Sequence, residues 1–243
     1  MTIKLVAFDL DDCLFDSTGL SERAREKGIE KMVKMGLQID IKEALKILDQ
    51  IVKEYGSNFE KHYDFFLRRL EEVYPKTELI KENKHKLISG AIISYHEEKI
   101  NSIKLYDDVI PCLEKLKILG IKCAIISDGI PIKQYEKILR LNLDNYMDYI
   151  IISDEIGIRK PNPMLFEYAL GKFGIKGKES IYVGDRLDKD IEPASQNNIR
   201  TVYIHRGGKY DVDENKDLNT QTKIKPDYEI YDLKELFKII ESI

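Results

Sequence analysis

Residues 3–12 of the chain read IKLVAFDLDD, a largely apolar run followed by a cluster of aspartates. The β-branched and apolar residues Ile3–Phe8 predict a short buried strand. Three aspartates, Asp9, Asp11 and Asp12, follow that strand at once. One aspartate in this place would most often be a turn or a helix cap. Three carboxylates at the end of a buried strand repel one another, so we expect positive charge among them.

The hydrophobic pattern differs between two regions of the chain. Over residues 21–94 the apolar side chains recur at helical spacing, and Gly36, Gly56 and Pro75 stand as turn or stop signals. After residue 103, short apolar runs alternate with helical segments. Strands separated by helices of this length predict right-handed βαβ units and therefore a parallel sheet.

These two hydrophobic patterns predict two domains. We expect an α/β core formed by residues 1–16 and 96–243, interrupted by an all-helical domain of residues 17–95. The stretch 207–227 is polar and rich in turn residues, which predicts a surface loop.

Composition excludes several classes of function. Of the 243 residues, 43% are hydrophobic and 34% charged, and the net charge of -4 comes without a basic stripe for nucleic acid. We find no apolar run of membrane-spanning length and no signal-peptide pattern, so we expect a cytoplasmic protein with no membrane partner. Cys13, Cys112 and Cys123 are scattered and odd in number, which argues against a disulfide framework or a zinc site.

Four short polar segments each follow an apolar run that predicts a parallel strand. They are FDLDD at 8–12, ISDG at 126–129, GIRKPNP at 157–163 and VGDRLDKD at 183–190. In open α/β sheets, sites lie at the carboxyl ends of the strands, so we expect the four segments to meet in one crevice. Two of them bring carboxylates, one brings a hydroxyl with backbone amides, and one brings a lysine.

This set of motifs resembles the haloacid dehalogenase superfamily. The family has an Asp-x-Asp motif after its first strand, then a Ser or Thr, then a Lys commonly before Pro, and last a Gly-Asp motif with a further acid. In this chain the corresponding residues are Asp9-Leu10-Asp11, Ser127, Lys160-Pro161, and Gly184-Asp185 with Asp188 and Asp190 beyond. The resemblance implies a Rossmann-like doubly wound parallel sheet with a helical cap inserted after the first motif.

The resemblance also implies roles for the acids. Asp9 would be the nucleophile that forms an aspartyl-phosphate, and Asp11 would act as general acid and base. Mg²⁺ would be held by the Asp9 carboxylate, the Asp11 backbone carbonyl and Asp185. Asp190 is the predicted further acid of this metal site, with Asp188 as the alternative.

The positive and hydrogen-bonding groups complete the implied site. Lys160 would neutralise Asp9 and the phosphoryl oxygens. The Ser127 hydroxyl and the backbone amides of Asp128 and Gly129 would cradle those oxygens.

Asp11 is the residue that selects the chemistry. Relatives that cleave carbon–halogen bonds lack this second acid, because a departing halide needs no proton. Asp12 and Asp16 are expected to serve turn and cap geometry instead. At Cys13 many relatives carry Thr, so we expect a side-chain hydrogen bond to be missing there.

We therefore expect a Mg²⁺-dependent phosphatase acting on a small phosphomonoester. Sugar phosphates, phosphoglycolate and glyceraldehyde 3-phosphate fit the motifs equally. Two alternatives stay open: a phosphomutase of the same superfamily, and a non-catalytic binding module on this fold. The sequence does not determine the oligomeric state.

Overall fold

The computed structural model describes residues 2–73, 78–208, 211 and 225–243. The chain forms two compact units, one of residues 1–18 with 103–243 and the other of residues 19–102. The predicted stop at Pro75 and most of the predicted loop 207–227 lie outside the described residues.

The larger unit contains a six-stranded parallel sheet. Its strands are β1 Leu5–Phe8, β2 Lys122–Ser127, β3 Tyr149–Ile152, β4 Ser180–Gly184, β5 Arg200–Ile204 and β6 Tyr228–Ile230. The order across the sheet is β3-β2-β1-β4-β5-β6, which is the Rossmann order. The predicted fold class, a Rossmann-like doubly wound parallel sheet, is confirmed.

The centre of the sheet is covered on both faces. All four residues of β1 and all five of β4 are buried, and successive strand residues point to opposite faces. One face packs against an apolar cluster in which Leu5, Ala7 and Tyr182 meet Phe166 and Ala169. The apolar runs that predicted these strands are therefore their buried cores.

The described residues of the two units contain ten α-helices. They are α1 Ser17–Lys34, α2 Ile41–Tyr55, α3 His62–Val73, α4 Glu78–Ser102, α5 Val109–Ile118, α6 Pro131–Arg140, α7 Ser153–Ile156, α8 Met164–Phe173, α9 Glu192–Ser195 and α10 Leu236–Glu241. None of the helices in the described part of the chain is long and apolar enough to cross a membrane.

The smaller unit is all helical over its described residues. Its core joins α1, α2, α3 and α4 through residues such as Ile29, Leu48, Phe66 and Ala91. Asp40 starts α2, since its side chain accepts the amides of Lys42 and Glu43. The helical spacing predicted over residues 21–94 is confirmed in α3, where Phe66, Leu67 and Leu70 are buried on one face.

The end of the helical insert differs from the predicted position. We expected it at residue 95, whereas α4 continues without a break to Ser102. The reason is local, because the chain has neither Gly nor Pro between Gly90 and Pro111 to mark a stop.

Candidate active site

Three neighbouring strands end at the same edge of the sheet. Phe8 on β1 lies opposite Ile125 on β2 and Val183 on β4. The residues that follow, Asp9 among them, therefore leave the sheet side by side. The Asp9 amide still donates to the Val183 carbonyl at 2.9 Å, which anchors this carboxylate to the end of the sheet.

Lys160 lies at the centre of the site. Its Nζ is 2.6 Å from Asp9 Oδ1, 2.7 Å from Asp190 Oδ1 and 2.6 Å from the Tyr182 hydroxyl. Only 2% of its side chain is exposed. Its backbone amide donates to Asp128 Oδ1 at 3.0 Å, so the segment after β2 holds the lysine in place. A buried ammonium fixed by three oxygens is a preorganised positive charge next to Asp9.

Asp9, Asp185 and Asp190 form a group of buried carboxylates, with one oxygen of each within 4.8 Å of the others. Burial raises the pKa of Asp9 to about 7, against the opposing charge of Lys160 and with the added repulsion of Asp190. Burial, then Asp190 and Asp9, raises the pKa of Asp185 to about 9. Oxygen ligands crowded in this way suit a hard divalent cation.

The structure places Asp190, and not Asp188, in this group. Asp190 Oδ2 accepts the Arg186 amide at 3.1 Å, and its Oδ1 accepts from Lys160. Asp188 is half exposed and pairs with the Arg186 guanidinium at 2.7 and 3.0 Å. A Cβ added to Gly184 would lie only 2.5 Å from the Asp190 Cβ. The glycine of the Gly-Asp motif is thus required by the close approach of Asp190.

The predicted phosphate cradle follows β2. Ser127 is buried, and its Oγ accepts from Gln134 Nε2 at 2.8 Å. The Gly129 amide, which we expected to face a phosphoryl oxygen, donates to Ser153 Oγ at 3.1 Å. The Ser127 hydroxyl and the Asp128 amide stay the predicted donors.

Asp11 has partners that the sequence did not indicate. Lys137 Nζ lies 2.7 and 2.8 Å from its two carboxylate oxygens, and Gln134 Nε2 is 3.0 Å from Oδ2. Burial disfavours the charged form, but the ion pair with Lys137 and hydrogen bonds from Lys137, Gln134 and Ser17 outweigh it and lower the pKa of Asp11. The segment PIKQYEKILR is one of the helical segments predicted after residue 103, and nothing more was predicted for it. Its polar residues three apart, just after a motif strand, were the available signal.

The remaining residues of the first motif shape the loop. The Asp12 side chain accepts the Thr18 amide at 2.8 Å and the Thr18 hydroxyl at 2.6 Å, which confirms its turn-and-cap role. Helix α1 begins at Ser17, directly after Asp16. The expectation of a missing hydrogen bond at Cys13 was wrong, because its buried Sγ lies 3.6 Å from the Val183 carbonyl and donates there.

Comparison with known proteins places the chain among hydrolases. The sequence model of the family described as haloacid dehalogenase-like hydrolase matches residues 6–204. A glyceraldehyde 3-phosphate phosphatase from Methanopyrus kandleri is 38% identical over 99% of this chain and 98% of its own length. Its counterpart from Pyrococcus abyssi is 40% identical over 99% and 94%. Among solved structures, a HAD phosphatase from Thermococcus onnurineus is 27% identical, covers 99% and 98%, and superposes with a TM-score of 0.62.

Proposed function

Because the chain belongs to the haloacid dehalogenase-like hydrolase family, we propose that it is a magnesium-dependent phosphatase whose substrate is glyceraldehyde 3-phosphate. The predicted enzyme class, a phosphoric monoester hydrolase, is confirmed by the relatives. Among the small phosphomonoesters that the motifs allow, we choose this one because the Methanopyrus and Pyrococcus relatives carry that name over nearly the whole chain. Both are phosphatases, which favours hydrolysis over the mutase alternative.

One observation carries the proposal: the buried ammonium of Lys160, 2.6 Å from Asp9 Oδ1, within a group of three carboxylates. A phosphate dianion is repelled by carboxylates, so an aspartate can attack phosphorus only where positive charge neutralises it. Lys160 supplies part of that charge. In a non-catalytic phosphate-binding module, a carboxylate at the position of Asp9 would only weaken binding, because it repels the phosphate.

The metal site fits the same geometry. Asp9 and Asp185, with the Asp11 backbone carbonyl, would hold Mg²⁺ through oxygen, the ligand it prefers. Asp190, with an oxygen within 4.8 Å of theirs, is the further acid of this metal site, and its hydrogen bonds from Lys160 and the Arg186 amide fix its orientation. When bound, the ion supplies neutralisation and polarisation of the phosphoryl oxygens.

The reaction proceeds in two displacements at Asp9. A carboxylate oxygen of Asp9 attacks phosphorus while the bond from phosphorus to the sugar oxygen breaks. The departing oxygen takes a proton from Asp11, which is ionised beside Lys137 in the free protein and must therefore gain that proton when the phosphate dianion binds. Water then attacks the aspartyl-phosphate, Asp11 takes a proton from it, and the Asp9–phosphorus bond breaks to release inorganic phosphate. Lys160 stabilises the charge on Asp9 and on the transferring group, while the Ser127 hydroxyl orients that group.

We also propose a cytoplasmic location. The three cysteines, Cys13, Cys112 and Cys123, are all free and buried, which is typical of a reducing compartment.

The test is phosphate release from glyceraldehyde 3-phosphate, phosphoglycolate and p-nitrophenyl phosphate, with Mg²⁺ and with EDTA. We expect Mg²⁺-dependent turnover that is highest on the first ester, and Asp9→Asn to lower kcat by at least about 1,000-fold. Asp188→Asn is the matched control, since it removes an acid of the same loop that pairs only at the surface. Turnover of no phosphate ester, or full activity in Asp9→Asn, would contradict the proposal.

A further inference from the structure

Helix α6 brings two side chains onto the Asp11 carboxylate. Gln134 and Lys137 are three residues apart and therefore project from the same face of the helix. Lys137 Nζ reaches both carboxylate oxygens, at 2.7 and 2.8 Å, and Gln134 Nε2 reaches Oδ2 at 3.0 Å. Side chains of one helix, α6, therefore hold both carboxylate oxygens of Asp11.

The orientation of the Gln134 amide follows from its neighbours. Lys137 Nζ, which has only donors, lies 2.7 Å from Gln134 Oε1, so the amide oxygen must face the lysine. The amide nitrogen then faces Asp11, with Ser127 Oγ at 2.8 Å and the Asp128 carbonyl at 3.0 Å. Gln134 is 3% exposed, so these partners replace water.

This arrangement also directs the serine. Ser127 Oγ has two acceptor sites and one proton, and Gln134 occupies one acceptor site. The proton stays available for a phosphoryl oxygen. The same amide therefore connects the group that would orient the phosphate with the group that would move the proton.

The local backbone provides the space for this amide. Gly129 has a φ of +139°, and a Cβ there would lie 3.2 to 3.4 Å from the Gln134 side chain. A larger residue at 129 would be strained and would press on the amide.

We propose that Gln134 and Lys137 are positioning residues that hold the Asp11 carboxylate where it can reach the leaving oxygen of the substrate. The inference rests on the proposed function of Asp11 as acid and base. It assigns a role to two residues outside the four motifs. A proton donor is effective only within hydrogen-bond reach of its acceptor. If Asp11 is held less firmly, the reaction should therefore slow for those substrates whose leaving group needs a proton.

Comparing substrates with different leaving groups distinguishes this positioning role from a purely structural one. An alkoxide needs a proton as it departs, whereas p-nitrophenolate does not. We expect Lys137→Met to lower kcat/KM for glyceraldehyde 3-phosphate, or for the best alkyl ester found, by about 10- to 100-fold. For p-nitrophenyl phosphate the expected loss in kcat/KM, which covers the steps up to departure of the leaving group, is below about 3-fold, and that retained activity also shows that the variant is folded. Lys137→Gln, a smaller change, should give the same difference.

Two controls complete the experiment. Lys133→Met removes the same charge from an exposed position of α6 and should match wild type on both esters. In an Asp11→Asn background, Lys137→Met should change the alkyl-ester kcat/KM by less than about 2-fold, because the group it positions is gone.

Three results would overturn the inference while leaving the proposed function intact. Lys137→Met could lower kcat/KM equally for both esters, it could change KM alone, or its effect could add in full to that of Asp11→Asn. Lack of turnover by the wild-type protein on any phosphate ester would instead reject the proposed function itself.

Discussion

The crowded carboxylates predict an unusual dependence of stability on pH. The ordinary pKa of an aspartate is 3.8, whereas burial raises that of Asp9 to about 7 and that of Asp185 to about 9 in the folded protein. Between these values and 3.8 the folded state holds protons that the unfolded chain has released. The stability they contribute is present in full below pH 3.8 and is lost as the pH rises through 7 and then 9.

The magnitude follows from linkage. Each proton held only by the folded state lowers the free energy of unfolding by about 1.4 kcal/mol per pH unit. In EDTA we therefore expect stability to fall from pH 5 to pH 8, by about 3 kcal/mol per unit where both Asp9 and Asp185 hold protons, and by about half that above pH 7. Asp11 works in the opposite direction, but its lowered pKa confines its effect to pH below 4.

The assay is urea unfolding followed by far-UV circular dichroism, since the chain contains no tryptophan. Asp185→Asn should flatten the pH dependence by about 1.4 kcal/mol per unit and should exceed wild type in stability at pH 8 in EDTA. Burial lowers the pKa of His62, which raises stability with pH over part of this range, but all variants share that residue. Asp188→Asn is the control and should keep the wild-type slope.

Magnesium should oppose this fall in stability. The ion competes with protons for the same oxygens, so its stabilising effect is expected to be larger at pH 8 than at pH 6. If wild-type stability in EDTA stays constant or rises from pH 5 to pH 8, the carboxylates are not crowded as the structure places them. The physical basis for the metal site would then fail as well.

Two further substitutions test other parts of the structure. Gly184→Ala places a methyl group 2.5 Å from the Asp190 Cβ, so Asp190 must move, and we expect kcat/KM for phosphate esters to fall about 100-fold. Asp108→Ala leaves the Arg206 guanidinium buried without its two-point partner, and should lower the free energy of unfolding by about 3–5 kcal/mol in urea unfolding. Asp154→Ala, which breaks a surface pair, should cost less than about 1 kcal/mol; an equal loss in both would contradict the argument from burial.

The sequence predicted those features that depend on local pattern. Short apolar runs identified the central strands, because a strand buried on both faces must be apolar at every position. Parallel strands end at a common edge, so residues directly after them were expected to meet. Asp9 and Lys160 are 151 residues apart in the chain, yet their contact at 2.6 Å is a consequence of that topology and of the motif pattern together.

Other features depend on side-chain geometry that no local pattern records. Gln134 and Lys137 look like any polar face of an amphipathic helix, and only the folded chain shows that this face meets Asp11. The choice between Asp188 and Asp190 turned on which one the tight turn after Gly184 directs inward. The end of α4 could not be predicted because a helix that continues without Gly or Pro carries no local stop signal.

The balance of charge in the site links these details to the chemistry. Asp9, Asp185 and Asp190 around Lys160 leave two negative charges when all are ionised, which one divalent cation neutralises. Asp11 with Lys137 is already neutral as a pair. The pair can therefore stand beside the phosphate without repelling it, and proton transfer at Asp11 is kept electrostatically separate from neutralisation at Asp9.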